Sequence, residues 1–404
     1  MKITLIAGAR PNFMKIAPLI HAIQKAEAAG KEIHYRLVHT GQHYDKNMSD
    51  TFFEELGIPA PDVNLGCGGG TPAEQTAHIM VAFEKDLMEH PTDLVLVVGD
   101  VTSTMACSIV AKKMNTRVAH VEAGIRSWDL TMPEEINRMV TDSLADYLFT
   151  TTNVADRNLL RQGAIRIDDA QCTMHGDELA EDKYAYERCP QKVWRVGNVM
   201  IDTLLKNMPR LKKPVVYDEL GLKEGKYIMM TMHRPANVDE EIHLRALMEQ
   251  IITNVQGEPI IFPIHPRTAK IFYGLWGSVS DSVEENRAAL HEVFPNLHIV
   301  DPMGYLEFNY LVKHCRAVVT DSGGITEETT VMGVPCITLR DNTERPETCT
   351  IGTNELIGTN PAAIKPALDR LYEGLWKKGA IPELWDGHAA ERIVQKIVNV
   401  LDKV

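Results

Sequence analysis

The stretch AVVTDSGGITEETTVMGVP, residues 317–335, moves from an apolar run through Ser-Gly-Gly into a helical pattern that closes near Gly333. A strand feeding straight into a helix is half of a βαβ unit, and such units pair their strands in parallel with helices over both faces. The paired glycines let the backbone approach a ligand. The helix start adds unpaired N–H groups and partial positive charge, the makings of an anion site. Glu327 and Glu328 follow at once, where a phosphate would meet repulsion. The ligand asked for has an anion and something else that a carboxylate can hold.

The same alternation extends outward in both directions. KITLIAG, YRLVHTG, DLVLVVGD, RVAHVEAG and DYLFTTT read as buried strands, each followed by a helical pattern such as PNFMKIAPLIHAIQKA. A second series begins near residue 226 with KYIMMTMH, PIIFPIH, LHIVDP, AVVTD and PCITL. Two such series predict an α/β protein of two Rossmann-like domains with parallel sheets facing a central cleft. The segment 168–194 lacks periodicity and reads as an irregular insertion, and RVGNVMIDTLL reads as a strand, a turn at Gly197-Asn198 and a helix. The expected domains are 1–197, joined by a C-terminal helix at 384–404, and 198–383.

Composition narrows the classes. The chain has 404 residues, 44% hydrophobic and 24% charged, as in ordinary globular proteins. Its formal charge of −13 is spread along the sequence and argues against a nucleic-acid partner. Seven cysteines without a C-x-x-C pair fit neither a disulfide framework nor a zinc site. The apolar run in MKITLIAGARP is too short for a signal peptide, and no segment is long enough to span a membrane. A cytoplasmic protein is expected.

In open parallel sheets ligands bind beyond the C-terminal strand ends, so polar residues just after each strand are the candidates. GARPNFMK places Arg10 and Lys15 at a helix start, where they would meet a phosphate or else be solvated bases flanking Pro11. No G-x-G-x-x-G occurs there, so no dinucleotide cofactor is expected. Asp100 ends VVGD, as a site residue or a turn residue. Glu122 ends the buried run RVAHVE, where an unpaired charge is costly and a carboxyl with a raised pKa would serve as acid or base. Glu134 and Arg138 in MPEEINR are four apart, either a helix pair or part of the same rim. Three carboxylates without a Cys/His cluster suggest proton transfer and no metal. The second series supplies bases: His233 and Arg234, His265 and Arg267, then Arg340 and Arg345 in LRDNTERPE. Together they would suit a diphosphate. Phe308, in a helical stretch, reads as core or as a base-stacking ring.

GARPNFMK, GDVTST, HVEAGIRS, MPEEINR, GNVMID, HRPAN, PIHPRT and TDSGGITEE…RDNTERPE occur in an order that resembles the non-hydrolysing UDP-N-acetylglucosamine 2-epimerases. The resemblance runs from the first strand to about residue 358. It implies a glycosyltransferase B-like fold with a last helix crossing back to the first domain, a homodimer, no cofactor, and cytoplasmic supply of UDP-N-acetylmannosamine for surface polysaccharide. By the same resemblance Asp100, Glu122, Glu134 and His233 match catalytic positions. Arg10, Arg138, His265, Ser322, Gly323, Gly324, Glu328 and Arg345 match nucleotide-binding positions, and Phe308 falls near uracil. Family members take the proton from C2 while UDP leaves C1 by anti elimination, then return UDP to a 2-acetamidoglucal. On this reading Ser-Gly-Gly holds the diphosphate and Glu328 accepts from the ribose hydroxyls. Glu327, about 100° round the helix, serves the helix start or solvent. Rival readings are a 2-epimerase of UDP-2,3-diacetamido-glucuronate, with Arg126 as the extra cation for its carboxylate, and a UDP-sugar glycosyltransferase of the same fold.

Overall fold

The computed structural model describes residues 1–41, 53, 55–162, 166–167, 191–264, 269, 272–276, 280 and 282–401. The chain divides into two compact units, Met1–Lys206 with Glu383–Val404, and Asn207–Pro382.

The strands of the first unit are β1 (Lys2–Ala7), β2 (His34–His39), β3 (Val63–Asn64), β4 (Leu94–Val98), β5 (Arg117–Ala123), β6 (Tyr147–Thr150), β7 (Arg166–Ile167) and β8 (Lys192–Arg195). They form one sheet in the order β3-β2-β1-β4-β5-β6-β8-β7, parallel throughout. Its helices include α1 (Arg10–Ala28), α2 (Pro72–Glu89), α3 (Thr102–Lys113), α4 (Pro133–Leu144), α5 (Asn153–Gln162) and α6 (Val199–Asn207). Every residue of β4 is buried, which accounts for its unbroken apolar run: a strand covered on both faces has no solvent side to alternate with. The end of the segment read as irregular, residues 192–194, is strand β8, paired with β6 and β7. Residues 168–190 lie outside the described residues.

The second unit carries β9 (Ile228–Thr231), β10 (Ile260–Pro263), β11 (Leu297–Val300), β12 (Ala317–Thr320), β13 (Cys336–Thr338) and β14 (Asn354–Leu356) in the order β11-β10-β9-β12-β13-β14, again all parallel. Its helices include α7 (Val215–Glu219), α8 (Pro235–Val238), α9 (Glu241–Asn254), α10 (Val283–Val293), α11 (Tyr305–His314), α12 (Gly323–Met332), α13 (Pro346–Thr350) and α14 (Ile364–Tyr372). One apolar core packs around α9 and α14, and a second joins Tyr227, Met229 and Val318 to α11.

The last helix, α15 (Ala389–Leu401), belongs to the first unit and packs against α1. Asp202 of α6 caps its start, accepting from the N–H groups of Ala389 at 3.1 Å and Ala390 at 2.7 Å. Trp385, almost fully buried, donates to the Thr151 carbonyl. Among the described residues no helix is long and apolar enough to cross a membrane. Each sheet has a central reversal of strand order, between β1 and β4 and between β9 and β12. Open sheets leave a crevice at the C-terminal ends there.

Candidate functional site

At the first reversal the turn after β1 is held by Asn12, which accepts from the N–H groups of Gly8 and Ala9 and donates to the Val98 carbonyl of β4. Gly8 must be glycine: a Cβ there would lie 2.5 Å from Ser103 Oγ. Arg10 is the first residue of α1. Lys15, one turn further on, reaches Glu122 with Nζ–Oε2 at 2.5 Å. The ammonium read as a phosphate contact is therefore placed on a carboxylate. Glu122 is 3% exposed and has φ +70, a left-handed backbone costly for a residue with a Cβ. It sits where the pairing of β5 with β6 shifts register, a bulge that re-aims a side chain at a strand end.

Asp100, half-buried after β4, is paired with Arg138, and Arg138 also grips Glu135 through Nε at 2.9 Å and Nη2 at 2.6 Å. The helix pair of α4 is thus Glu135 with Arg138, not Glu134 with Arg138: Glu134 is exposed on the first turn, and Glu135 is fully buried. The Glu135 carboxylate also accepts from the N–H groups of Ser127 and Trp128, each at 3.0 Å, and so fixes the loop before α4. Behind β5, His120 bonds Asp142 and the Gly99 carbonyl. Arg126 is 2% exposed and committed to Asp142 at 2.5 Å and to Gln162, so it is not the accessible cation that a substrate carboxylate would need. Burial works to raise the Asp142 carboxyl, but the charges of His120 and Arg126 outweigh it and hold the group low.

At the second reversal the organiser is Asp321, the residue between β12 and Ser322. It is fully buried and accepts from the N–H groups of His233 and Arg234 and from Asn237 Nδ2, while His233 Nδ1 lies 2.9 Å from its Oδ1. Burial alone would raise Asp321, but these partners outweigh it and hold the carboxyl below its ordinary value. The His233 ring is 63% exposed and tethered through Nδ1. Ser322 occupies the N-cap position of α12 without a side-chain capping bond, and Gly323 and Gly324 are in its first turn. A Cβ on Gly323 would stand 2.7 Å from Glu344 Oε1, because the loop before α13 packs against the helix start.

Glu327 does not face solvent. It is 1% exposed and pairs with Arg345 Nε at 2.6 Å, and Arg345 with Arg340 also flanks Glu344. The helix start is thereby backed by a buried network of opposite charges. Burial, despite a 2.8 Å hydrogen bond from the Tyr305 hydroxyl and with help from the Glu327 charge, pushes the Glu328 carboxyl up to about 7. Phe308 is half-buried against the core under α11. His265 and Arg267 lie outside the described residues.

The described strand-end residues that sequence reasoning named are Asp100 and Glu122 in the first unit and His233 and Ser322 in the second; the residues that organise them, which it missed, are Asn12, His120, Glu135, Asp142, Tyr305 and Asp321. Asp321 had the same signal as Glu122, a carboxylate closing a buried strand. His120 had another, a polar residue inside an apolar run. Among the described residues no group of three or more His, Cys, Asp or Glu side chains stands ready to hold a metal.

A family model described as UDP-N-acetylglucosamine 2-epimerase matches residues 25–398. A Methanocaldococcus jannaschii UDP-N-acetylglucosamine 2-epimerase is 38% identical over 403 residues, covering 98% of each chain. A Pseudomonas aeruginosa UDP-2,3-diacetamido-2,3-dideoxy-D-glucuronate 2-epimerase is 37% identical over 404 residues, covering 99% of this chain and all of the relative. Among solved structures, the M. jannaschii UDP-GlcNAc 2-epimerase in complex with UDP-GlcNAc and UDP superposes with a TM-score of 0.77 at 36% identity, covering 99% of this chain and 100% of the other.

Proposed function

Since the chain belongs to the UDP-N-acetylglucosamine 2-epimerase family, we propose that it interconverts UDP-N-acetylglucosamine and UDP-N-acetylmannosamine without hydrolysis. The observation that carries this reading is the first rim. There Glu122, on a left-handed bulge, is paired with Lys15 while Asp100 is pinned by Arg138. Inverting C2 through elimination requires a proton to leave one face and return to the other, so more than one acid/base group must act. Asp100, Glu122 and Glu134 are assigned that work. The departing diphosphate needs cations and N–H donors, supplied on this reading by Arg10, His233 and the start of α12. The second unit's rim suits the nucleotide, with Ser322, Gly323 and Gly324 at the diphosphate and Glu328 at the ribose. Arg138 and Arg345, matched to the nucleotide by resemblance, serve on this reading to hold Asp100 and the α12 start in place. His265 and Phe308 keep their proposed roles at the nucleotide. The enzyme is proposed to act as a cytoplasmic homodimer without a cofactor.

A second reading, epimerisation of UDP-2,3-diacetamido-glucuronate, draws support from the P. aeruginosa relative. The burial of Arg126 counts against it. Incubation with UDP-N-acetylglucosamine in D2O, followed by NMR, decides between them. Deuterium at C2 and a mixture of two epimers are expected, with no acceptor required. Exchange confined to the diacetamido uronate would transfer the assignment, and stoichiometric free UDP would indicate hydrolysis. Glu122→Gln is expected to lower exchange at least ~100-fold, the scale of a lost acid/base group, while UDP affinity stays near that of the wild type. Retained exchange would remove Glu122 from the catalytic set.

A further inference from the structure

Glu122 is bracketed by one buried carboxylate. Two residues before it, His120 presents Nδ1 to Asp142 Oδ1 at 2.6 Å, and two residues after it the Gly124 N–H donates to Asp142 Oδ2 at 3.0 Å. The bulge that gives Glu122 its left-handed φ lies between those two anchors. The other ring nitrogen of His120 bonds the Gly99 carbonyl at 2.8 Å, next to Asp100. Both partners of the ring are acceptors, so both nitrogens must carry hydrogens to make both bonds. Gly99 itself has φ +71, and a Cβ there would lie 3.1 Å from Lys15 Nζ and 3.6 Å from Glu122 Oε2. The peptide that carries Asp100 therefore packs directly on the Lys15–Glu122 pair.

We infer that His120, held by Asp142, is a positioning residue of the proton-transfer rim: it ties the Gly99–Asp100 turn to the strand that carries Glu122 and so sets the two carboxylates relative to each other. The inference rests on the epimerase reading. His120 is fully buried, touches no reacting atom, and works through the carbonyl it holds. Misplacing a reacting group by about an ångström costs on the order of 100-fold in rate.

The test compares His120→Leu with His120→Gln by steady-state epimerisation, UDP affinity and C2 exchange in D2O. His120→Leu is expected to lower kcat about 10- to 100-fold with KM within about threefold and UDP affinity unchanged. His120→Gln, whose amide can still donate to the Gly99 carbonyl, should recover part of the loss. A folded His120→Leu with wild-type kcat, or a Gln variant no better than Leu, would overturn the inference. If the Leu variant does not fold, nitrogen-15 NMR of the wild-type ring decides instead: hydrogens on both nitrogens are expected, and one bare nitrogen contradicts the bridge. Wild-type enzyme that fails to exchange at C2 would sink the functional reading, and the ring measurement would still judge the geometry.

Discussion

Single residues at the two rims are set by what they are bonded to as much as by what they are. Glu328 is the clearest case. Its carboxyl is raised to about 7 by burial, so in the unliganded protein its stabilising effect is present below the unfolded value near 4.5 and is lost as pH climbs through 7. If the ionised form accepts the ribose hydroxyls, UDP affinity should strengthen as pH rises from about 6 to 8. Calorimetric titration of wild type against Glu328→Gln checks this. The expected outcome is a pH-dependent affinity difference that grows above pH 7, and parallel curves would remove Glu328 from the ribose. Asp321→Asn is expected to lower kcat about tenfold or more, because the His233 ring and its loop lose a shared acceptor. Heteronuclear NMR should then find the His233 tautomer no longer fixed, whereas an unchanged ring and rate would make Asp321 a loop anchor only. The His120 variants belong at this scale too. Asp100, Glu122 and His233 were legible as strand-end polar residues. Their partners were not, because Lys15 and Glu122, or Asp321 and His233, lie 107 and 88 residues apart.

Among the elements, α12 shows how far a local pattern reaches. Ser-Gly-Gly after an apolar run predicted a strand, a turn and a helix start, and β12 and α12 are formed there. The pattern did not say that the loop before α13 would be packed on that start with Arg340, Glu344 and Arg345. That contact would set a Cβ at Gly323 against the Glu344 carboxylate, which Arg340 and Arg345 hold. Gly323→Ala should push the Glu344 carboxylate aside, at about 1–3 kcal/mol for overpacking, and weaken UDP binding about tenfold by calorimetry. Binding and melting both at wild-type level would show that the loop yields freely. The short strands β3, β7 and β14 escaped sequence reading because VN, RI and NEL carry no apolar run, unlike the equally short β13 within PCITL. The Glu134–Arg138 spacing suggested a pair that Glu135 takes instead. An i,i+4 relation says only that two residues share a face, and the Ser127 and Trp128 N–H groups hold the neighbouring carboxylate instead.

At the level of the whole chain, the first unit is closed by its last residues. Ile393, Val394 and Ile397 of α15 are buried in the unit that begins at Met1, and Asp202 caps the helix. Truncation after Pro382 would strip that cover from α1 and unseat Trp385, and losing several buried side chains at about 1.5–3 kcal/mol each exceeds the margin of most domains. Soluble expression and a cooperative melt of the truncated chain would contradict that expectation. The sequence by itself determined the alternation of strands and helices, the parallel class of both sheets and the strand-end residues from which the rims are built. These follow from local periodicity, turn chemistry and the cost of a charge at the end of a buried strand. Only the tertiary structure decided which charges meet: Lys15 with Glu122, Arg138 with Asp100 and Glu135, Glu327 with Arg345, and Asp142 with His120 and Arg126. A strand end says that a charge will be buried, and which partner satisfies it depends on chain segments that meet only when the sheets are assembled.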